Sequence, residues 1–201
     1  MRAKPKPAVR IAVCYCVHDD SYYLAESIAS FRAAGETFVF VSRVPWHGAP
    51  GDWQQTEVIA REAGVEIVLG DWADETDHRR SSMRYLVEQG YTHAFIPDGD
   101  EIIEPALLDA ALKVARAELA DRVHVEMDTY WKSPEYVIRP RERLIPVILM
   151  DLRHAYHVYR REYAGGRPLT LTAEHGVLHH LSYVGPEARI YRKIHTWGHR
   201  H

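Results

Sequence analysis

The sequence predicts an α/β fold, a mostly parallel central sheet flanked by helices that gives way to an α+β C-terminal part. Three observations carry this. Short runs rich in valine, isoleucine and phenylalanine recur along the first half of the chain, each is followed by apolar residues at helical spacing, and the alternation lapses after Glu118. Strands that alternate with helices are joined by right-handed crossovers and so lie parallel in one sheet. A chain of 201 residues buries one substantial core. The expected organisation is therefore a flexible basic arm over 1–8 and a single domain over 9–201, with halves over about 9–104 and 105–201.

Residues 9–17 are rich in valine and isoleucine and too few for a typical helix, which suggests the first strand, buried. Polar residues His18 to Ser21 end it; Leu24, Ile28 and Phe31 then recur at helical spacing, with Gly35 placed to stop the helix. Residues 37–42 form a second strand, followed by a loop holding Pro45, Gly48, Pro50 and Gly51 together with Trp46 and Trp53. The pattern repeats with a helix over 54–63, a strand over 65–69, a loop through Asp77, a helix ending at Gly90, a strand over 91–97 and a helix over 105–118. Beyond it, 122–130 and 144–152 read as strands, Gly165 and Gly166 as a mobile loop, 177–183 as a short strand and 186–196 as a final helix.

A net charge of −3 and a pI near 6.5 give no global attraction to a polyanion, so nucleic acid is not the predicted partner, although Arg2, Lys4 and Lys6 leave it open. The only cysteines, Cys14 and Cys16, alternate on one strand, a poor placement for a disulfide, and are read as buried free thiols in a reducing compartment. No apolar run is long enough to span a bilayer, and MRAKPKP lacks the apolar stretch of a secretory signal. The expectation is a soluble cytoplasmic protein.

In parallel sheets ligands bind beyond the carboxyl ends of the strands. Residues 18–21, 42–53, 70–77 and 98–101 should therefore converge at one edge. Asp98, Gly99 and Asp100 follow the buried run AlaPheIle. In extended chain, residues two apart project to the same side, so both carboxylates would face one point while Gly99 leaves room for a ligand. Two convergent carboxylates repel unless a cation lies between them, and Mg²⁺ or Mn²⁺ suits oxygen donors that share an ion with a phosphate. The alternative is a plain turn, for which Asp and Gly are common residues.

The stretch IPDGDEIIEP resembles the DxD element of GT-A glycosyltransferases, closest to the family 2-like and family 17-like branches. HHLSYVGPEARIYRKIHTWGHRH is similar to the block that closes their catalytic domain, and VHDDSYYLAESIASF to their opening block. The acidic pair usual after the second strand is here SerArgValPro. The resemblance implies a Rossmann-like GT-A domain whose first half binds the nucleotide and whose second half completes the metal and acceptor sites. It implies a metal-dependent transferase that moves a sugar from a nucleotide-diphosphate donor, UDP-sugar favoured, to an acceptor hydroxyl, with the acceptor and the stereochemistry open. Asp100 would be the principal metal ligand, Asp98 would touch metal or donor ribose, and His180 would be a third ligand, with His199 as a second candidate. Lys193 would neutralise the leaving diphosphate, and His18 and Asp20 would meet the nucleotide, unless Asp20 or Ser21 only caps a helix.

Arg79 and Arg80 open the helix after the third strand, where a planar fork suits a base or diphosphate; the alternative is pairing with Asp74, Glu75 or Asp77. An inverting reaction needs a carboxylate base, for which Glu174 is preferred and Asp128 is second. Two other readings stand beside this one. A nucleotidyltransferase of related fold would show a glycine-rich basic loop where this chain has HisAspAspSerTyrTyr. A catalytically inactive sugar- or nucleotide-binding protein would use Trp46, Trp53, Trp131 and Trp197 as platforms.

Overall fold

The computed structural model describes residues 8–143, 145–154, 156–159 and 161–196, with 156–159 and 196 described by backbone alone. The arm over 1–7 thus lies outside the described residues. Strands β1 (Ile11–Val17), β2 (Glu36–Ser42), β3 (Glu66–Gly70) and β4 (His93–Phe95) alternate with helices α1 (Leu24–Phe31), α2 (Trp53–Glu62) and α3 (Glu75–Glu88). After β4 come β5 (Glu101–Ile103), α4 (Pro105–Arg116), β6 (Arg122–Val125), β7 (Met127–Val137), β8 (Val147–Asp151), β9 (Tyr156–Tyr159), β10 (Glu162–Ala164), β11 (Pro168–Leu171), β12 (Leu178–Val184) and α5 (Glu187–Thr196).

The seven-stranded main sheet has the order β11-β6-β8-β4-β1-β2-β3, and only β8 runs against its neighbours. The α/β class is as expected. Alternate residues of β1 explain why the strand reads as continuously apolar. Val13, Tyr15 and Val17 pack with α1 and α4, through Leu24, Ile28, Phe31 and Leu107, while Ala12, Cys14 and Cys16 face α3 through Leu86. Burial on both faces is what a parallel sheet with helices on either side demands. Cys14 and Cys16 are buried free thiols.

Local chemistry sets the ends of several elements. Asp52 accepts from the Gln55 N–H at 2.9 Å to start α2, Asp74 accepts from Asp77 at 2.8 Å to start α3, and Pro105 opens α4. Gly35, where β2 begins, leaves no space for a side chain: a Cβ there would stand 2.3 Å from the Ile11 carbonyl oxygen.

Two expectations need correction. The strand over 91–97 is only His93–Phe95, because the chain turns at Asp98 and returns as β5, antiparallel to β12. The run over 122–130 splits at Glu126 into β6, in the main sheet, and β7, in a second sheet of order β5-β12-β7. The hairpin β9-β10 and the edge strand β11 carry too little alternation to be read in advance. Gly165 and Gly166 adopt φ of 81° and 68° in the connection between β10 and β11.

Candidate functional site

The order of the main sheet reverses at β1, whose parallel partners are β2 on one side and β4 on the other. Such a switch point leaves a crevice beyond the carboxyl ends of the strands. It opens into a cavity of about 510 Å³ lined by residues of all four predicted segments, including His18, Asp19, Asp20, Trp46, Glu75 and Asp98. Because β8 is antiparallel, its first residue Val147 reaches the same edge, beside Met127 and Ile145.

The backbone N–H of Glu101 donates to the Asp98 carbonyl at 3.1 Å, so 98–101 is a turn and not extended chain. The two aspartates accordingly meet different partners. Asp98 Oδ1 accepts from Arg79 Nη2 at 2.9 Å, and Oδ2 from Arg161 Nη1 at 3.2 Å. Asp100 Oδ2 accepts from Ser182 Oγ at 3.1 Å, Arg189 Nη2 at 3.2 Å and Lys193 Nζ. Nor does Gly99 make room for a ligand. A Cβ at Gly99 would lie 3.0 Å from Asp20 Cβ and 3.5 Å from Val17 Cγ1, so its bareness lets the Asp20 side chain pack across the turn.

Burial alone would raise both carboxyl pKa values, but the cations prevail. Arg161 and Arg79 hold Asp98 well below the usual carboxylate range, and Lys193 and His180 hold Asp100 at about 2. Burial opposes the charge on Lys193, yet Asp100 and Asp20 keep it more basic than an ordinary lysine. Asp20 goes the other way. Burial, and then Asp100 and Asp98, raise its pKa despite Lys193.

Both Asp98 oxygens accept from arginines, so a divalent ion would find an oxygen without a donor at Asp100 sooner than at Asp98. Asp100 Oδ1 is buried with no hydrogen-bond partner among the described residues, and His180 Nε2 lies 3.8 Å away. That nitrogen lies 2.6 Å from Ser182 Oγ, and Nδ1 is buried with no hydrogen-bond partner among the described residues. Among the described residues no group of three or more His, Cys, Asp or Glu side chains forms a ready metal cage.

The other predicted residues separate into those in the cavity and those outside it. Lys193 lines it, on α5. His18 also lines it, but both ring nitrogens serve backbone, Nδ1–H donating to the Ser42 carbonyl at 2.7 Å and Nε2 accepting from Gly51 N–H at 2.9 Å. Arg79 is buried and bonds Glu75 at 2.8 Å as well as Asp98, whereas Arg80 is exposed and absent from the lining, contrary to a shared sheet-facing position. Glu174 is exposed in a short 3-10 turn over Ala173–His175, outside the cavity. Asp128 is outside it too, clasped by Arg139 at 2.9 and 3.0 Å and Arg141 at 2.5 Å. His179 turns away from His180 to Tyr130, 2.6 Å off, and Glu104. His199 and Trp197 lie outside the described residues.

Sequence reasoning missed Arg161, Arg189 and Arg192. Arg189 lies over the rings of Tyr22 and Tyr23, 5.2 and 5.3 Å from their centroids, and Arg192 bonds Asp19 at 2.6 Å. The helical spacing of Arg189 and Lys193 was the available signal, since residues four apart share a face. Among the described residues, and with Asp100, the site holds seven carboxylates against five arginine and lysine side chains, the other acids being Asp19, Asp20, Glu75, Asp98, Glu101 and Glu162.

No protein-family model matches the chain, and no curated protein matches it. Solved structures do share part of its path. A putative nucleotide-diphospho-sugar transferase from Desulfovibrio desulfuricans G20 aligns over 82% of this chain and 80% of its own, at 10% identity and a TM-score of 0.48. The S. aureus TarS segment 1-349 in complex with UDP-GlcNAc aligns over 68% of this chain at 12% identity and a TM-score of 0.45. A cytidylyltransferase from Leptospira borgpetersenii aligns over 72% of this chain and 61% of its own, at 11% identity and a TM-score of 0.46. The chain spans 36% and 37% of the two TarS 1-349 chains, free and with UDP-GlcNAc. Among the described residues no helix is long and apolar enough to cross a membrane.

Proposed function

We propose that the chain is a GT-A-type glycosyltransferase that moves a sugar from a nucleoside diphosphate donor, UDP-sugar first among them, to an acceptor hydroxyl, with Mn²⁺ or Mg²⁺ held by Asp100 and His180. One observation carries this reading. An Asp-Gly-Asp turn lies at the switch point of a parallel sheet, with Asp98 and Gly99 lining the cavity and Asp100 buried beside it, and arginines and a lysine from three separate segments meet its carboxylates.

The charge balance supports a cation requirement. A site with more carboxylates than basic side chains repels a diphosphate unless positive charge arrives with it. A bound divalent ion supplies that charge and polarises the phosphate oxygens. Arg189 and Lys193, held ready by Asp100, neutralise the diphosphate as the bond between anomeric carbon and phosphate oxygen breaks. The aromatic loop after β2, with Trp46, borders the site on one side, and Met127, Ile145 and Val147 border it on the other. On this reading the nucleoside lies toward β2 and the acceptor toward β8. In an inverting reaction the acceptor hydroxyl must lose its proton to a carboxylate. With Glu174 and Asp128 outside the cavity, Asp20 takes that role, because a raised pKa suits a base working near neutrality.

The test is calorimetric titration of the wild type with UDP, GDP and CDP, with Mn²⁺ or with a chelator, followed by a donor-hydrolysis panel. At least one nucleoside diphosphate should bind in the presence of metal alone, and its sugar conjugate should be turned over. No binding under either condition sinks the reading.

A further inference from the structure

We propose that Arg161 grips a phosphate of the donor through its Nε–Nη2 edge, and that Asp98 is the positioning residue that holds Arg161 in place. The inference rests on the reading of the cavity as a diphosphate site.

Arg161 lies in the turn between β9 and β10, a two-stranded ribbon outside the main sheet, and lines the cavity. Its Nη1 alone is engaged, to Asp98 Oδ2 at 3.2 Å and Glu101 Oε1 at 2.5 Å. Its Nε and Nη2 are buried and have no acceptor among the described residues. These two N–H groups point the same way in the guanidinium plane, a fork that matches two oxygens of a phosphate or carboxylate.

Arg43 and Arg153 show the same fork when it is filled. Arg43 places Nε and Nη2 on Asp71 at 2.8 and 2.7 Å, and Arg153 places them on Asp151 at 2.9 and 2.6 Å. Arg79, the other partner of Asp98, uses the same two nitrogens on Glu75 and Asp98 and has no fork to offer. Arg161 is thus anchored by one nitrogen with its strongest recognition edge unfilled, beside a cavity. Buried charged donors without acceptors are costly, so the arrangement favours an incoming anion. Asp98 and Glu101 bond the side chain through Nη1 and leave Nε and Nη2 without an acceptor among the described residues.

The experiment compares the wild type with Arg161→Lys, which keeps the charge that serves Asp98 and Glu101 but has no fork, and with Arg161→Gln. Both are titrated with UDP, uridine and pyrophosphate in the presence of Mn²⁺, with thermal melting alongside. UDP and pyrophosphate should bind Arg161→Lys roughly tenfold to a hundredfold more weakly, while uridine binds within about twofold of wild type. In ¹⁵N spectra of the wild type, the Arg161 Nε–H resonance should move with pyrophosphate and not with uridine. Should UDP bind Arg161→Lys as it binds the wild type, the inference falls and the transferase reading stands. A resonance that shifts with pyrophosphate in a protein that binds no nucleoside diphosphate has the reverse meaning. A resonance unmoved by either anion overturns the inference, whatever the variants do.

Discussion

Replacing Asp100 with asparagine keeps the shape of the side chain and a partner for Ser182 while removing the charge that holds Lys193 and Arg189. The residue is nearly sealed from solvent, at 1% exposure. Removing one member of a buried ion pair leaves the other uncompensated and costs about 3–5 kcal/mol in fully buried cases. Here Lys193 is 21% exposed and can turn toward water or Asp20, which lowers the loss to about 2–3 kcal/mol. Linkage gives a similar size: a carboxyl at about 2 in the folded chain, against an ordinary value near 3.9, contributes about 2–3 kcal/mol. The sign follows from the depressed pKa. The contribution is complete above about pH 4 and is lost as pH falls toward 2. Thermal melting at pH 7 should therefore show a midpoint roughly 4–12 °C below wild type for Asp100→Asn, and the gap should close in acid. The same protein titrated with UDP and Mn²⁺ should show no metal-dependent binding. A midpoint within about 1 °C of wild type at pH 7, with an unchanged acid profile, would refute the view that Asp100 is an occupied anchor for α5.

Three further outcomes are expected. Asp98→Asn should lower stability by about 1–3 kcal/mol, because Arg79 keeps Glu75 and Arg161 keeps Glu101, and it should weaken UDP binding by the same route as Arg161→Lys; denaturant titration and calorimetry read the two effects separately. Asp128→Asn should lower the melting midpoint by releasing Arg139 and Arg141 yet leave UDP affinity unchanged, and a change in affinity would put Asp128 back in the site. Donor turnover by wild type should fall on the acid side through a pKa above that of an ordinary carboxylate, because the base must be ionised and burial raises Asp20; Asp20→Asn should abolish turnover and Glu174→Gln should leave it intact.

The parts of the fold that were legible in the sequence are those where burial repeats regularly. β1 is apolar at every position because both its faces are covered, and α1 shows its inner face through Leu24, Ile28 and Phe31. The loop ends that line the cavity follow from this alternation, since parallel crossovers bring successive strand ends to one edge. β5 is three residues long, and β9-β10 carries Arg161 in a run of polar and aromatic residues with no period to read. Tertiary contact stabilises those pieces, with α3 packing against β9, and local pattern does not record it.

Asp98 and Asp100 do not face one point: protein cations meet them separately. Two carboxylates at one strand end do require a positive partner, and the pKa of each is held down by one. The strand stops at Phe95, however, so a turn replaces the two-residue period and sends the side chains to separate cations. Those cations come from 63 and 93 residues further along the chain, Arg161 on the ribbon and Lys193 on α5. A motif therefore announces a need for charge without naming what meets it. Here arginine meets it at Asp98 and frees that arginine's other edge for an anion, while at Asp100 one buried oxygen stays without a donor, which makes the two aspartates unequal in any chemistry the site performs.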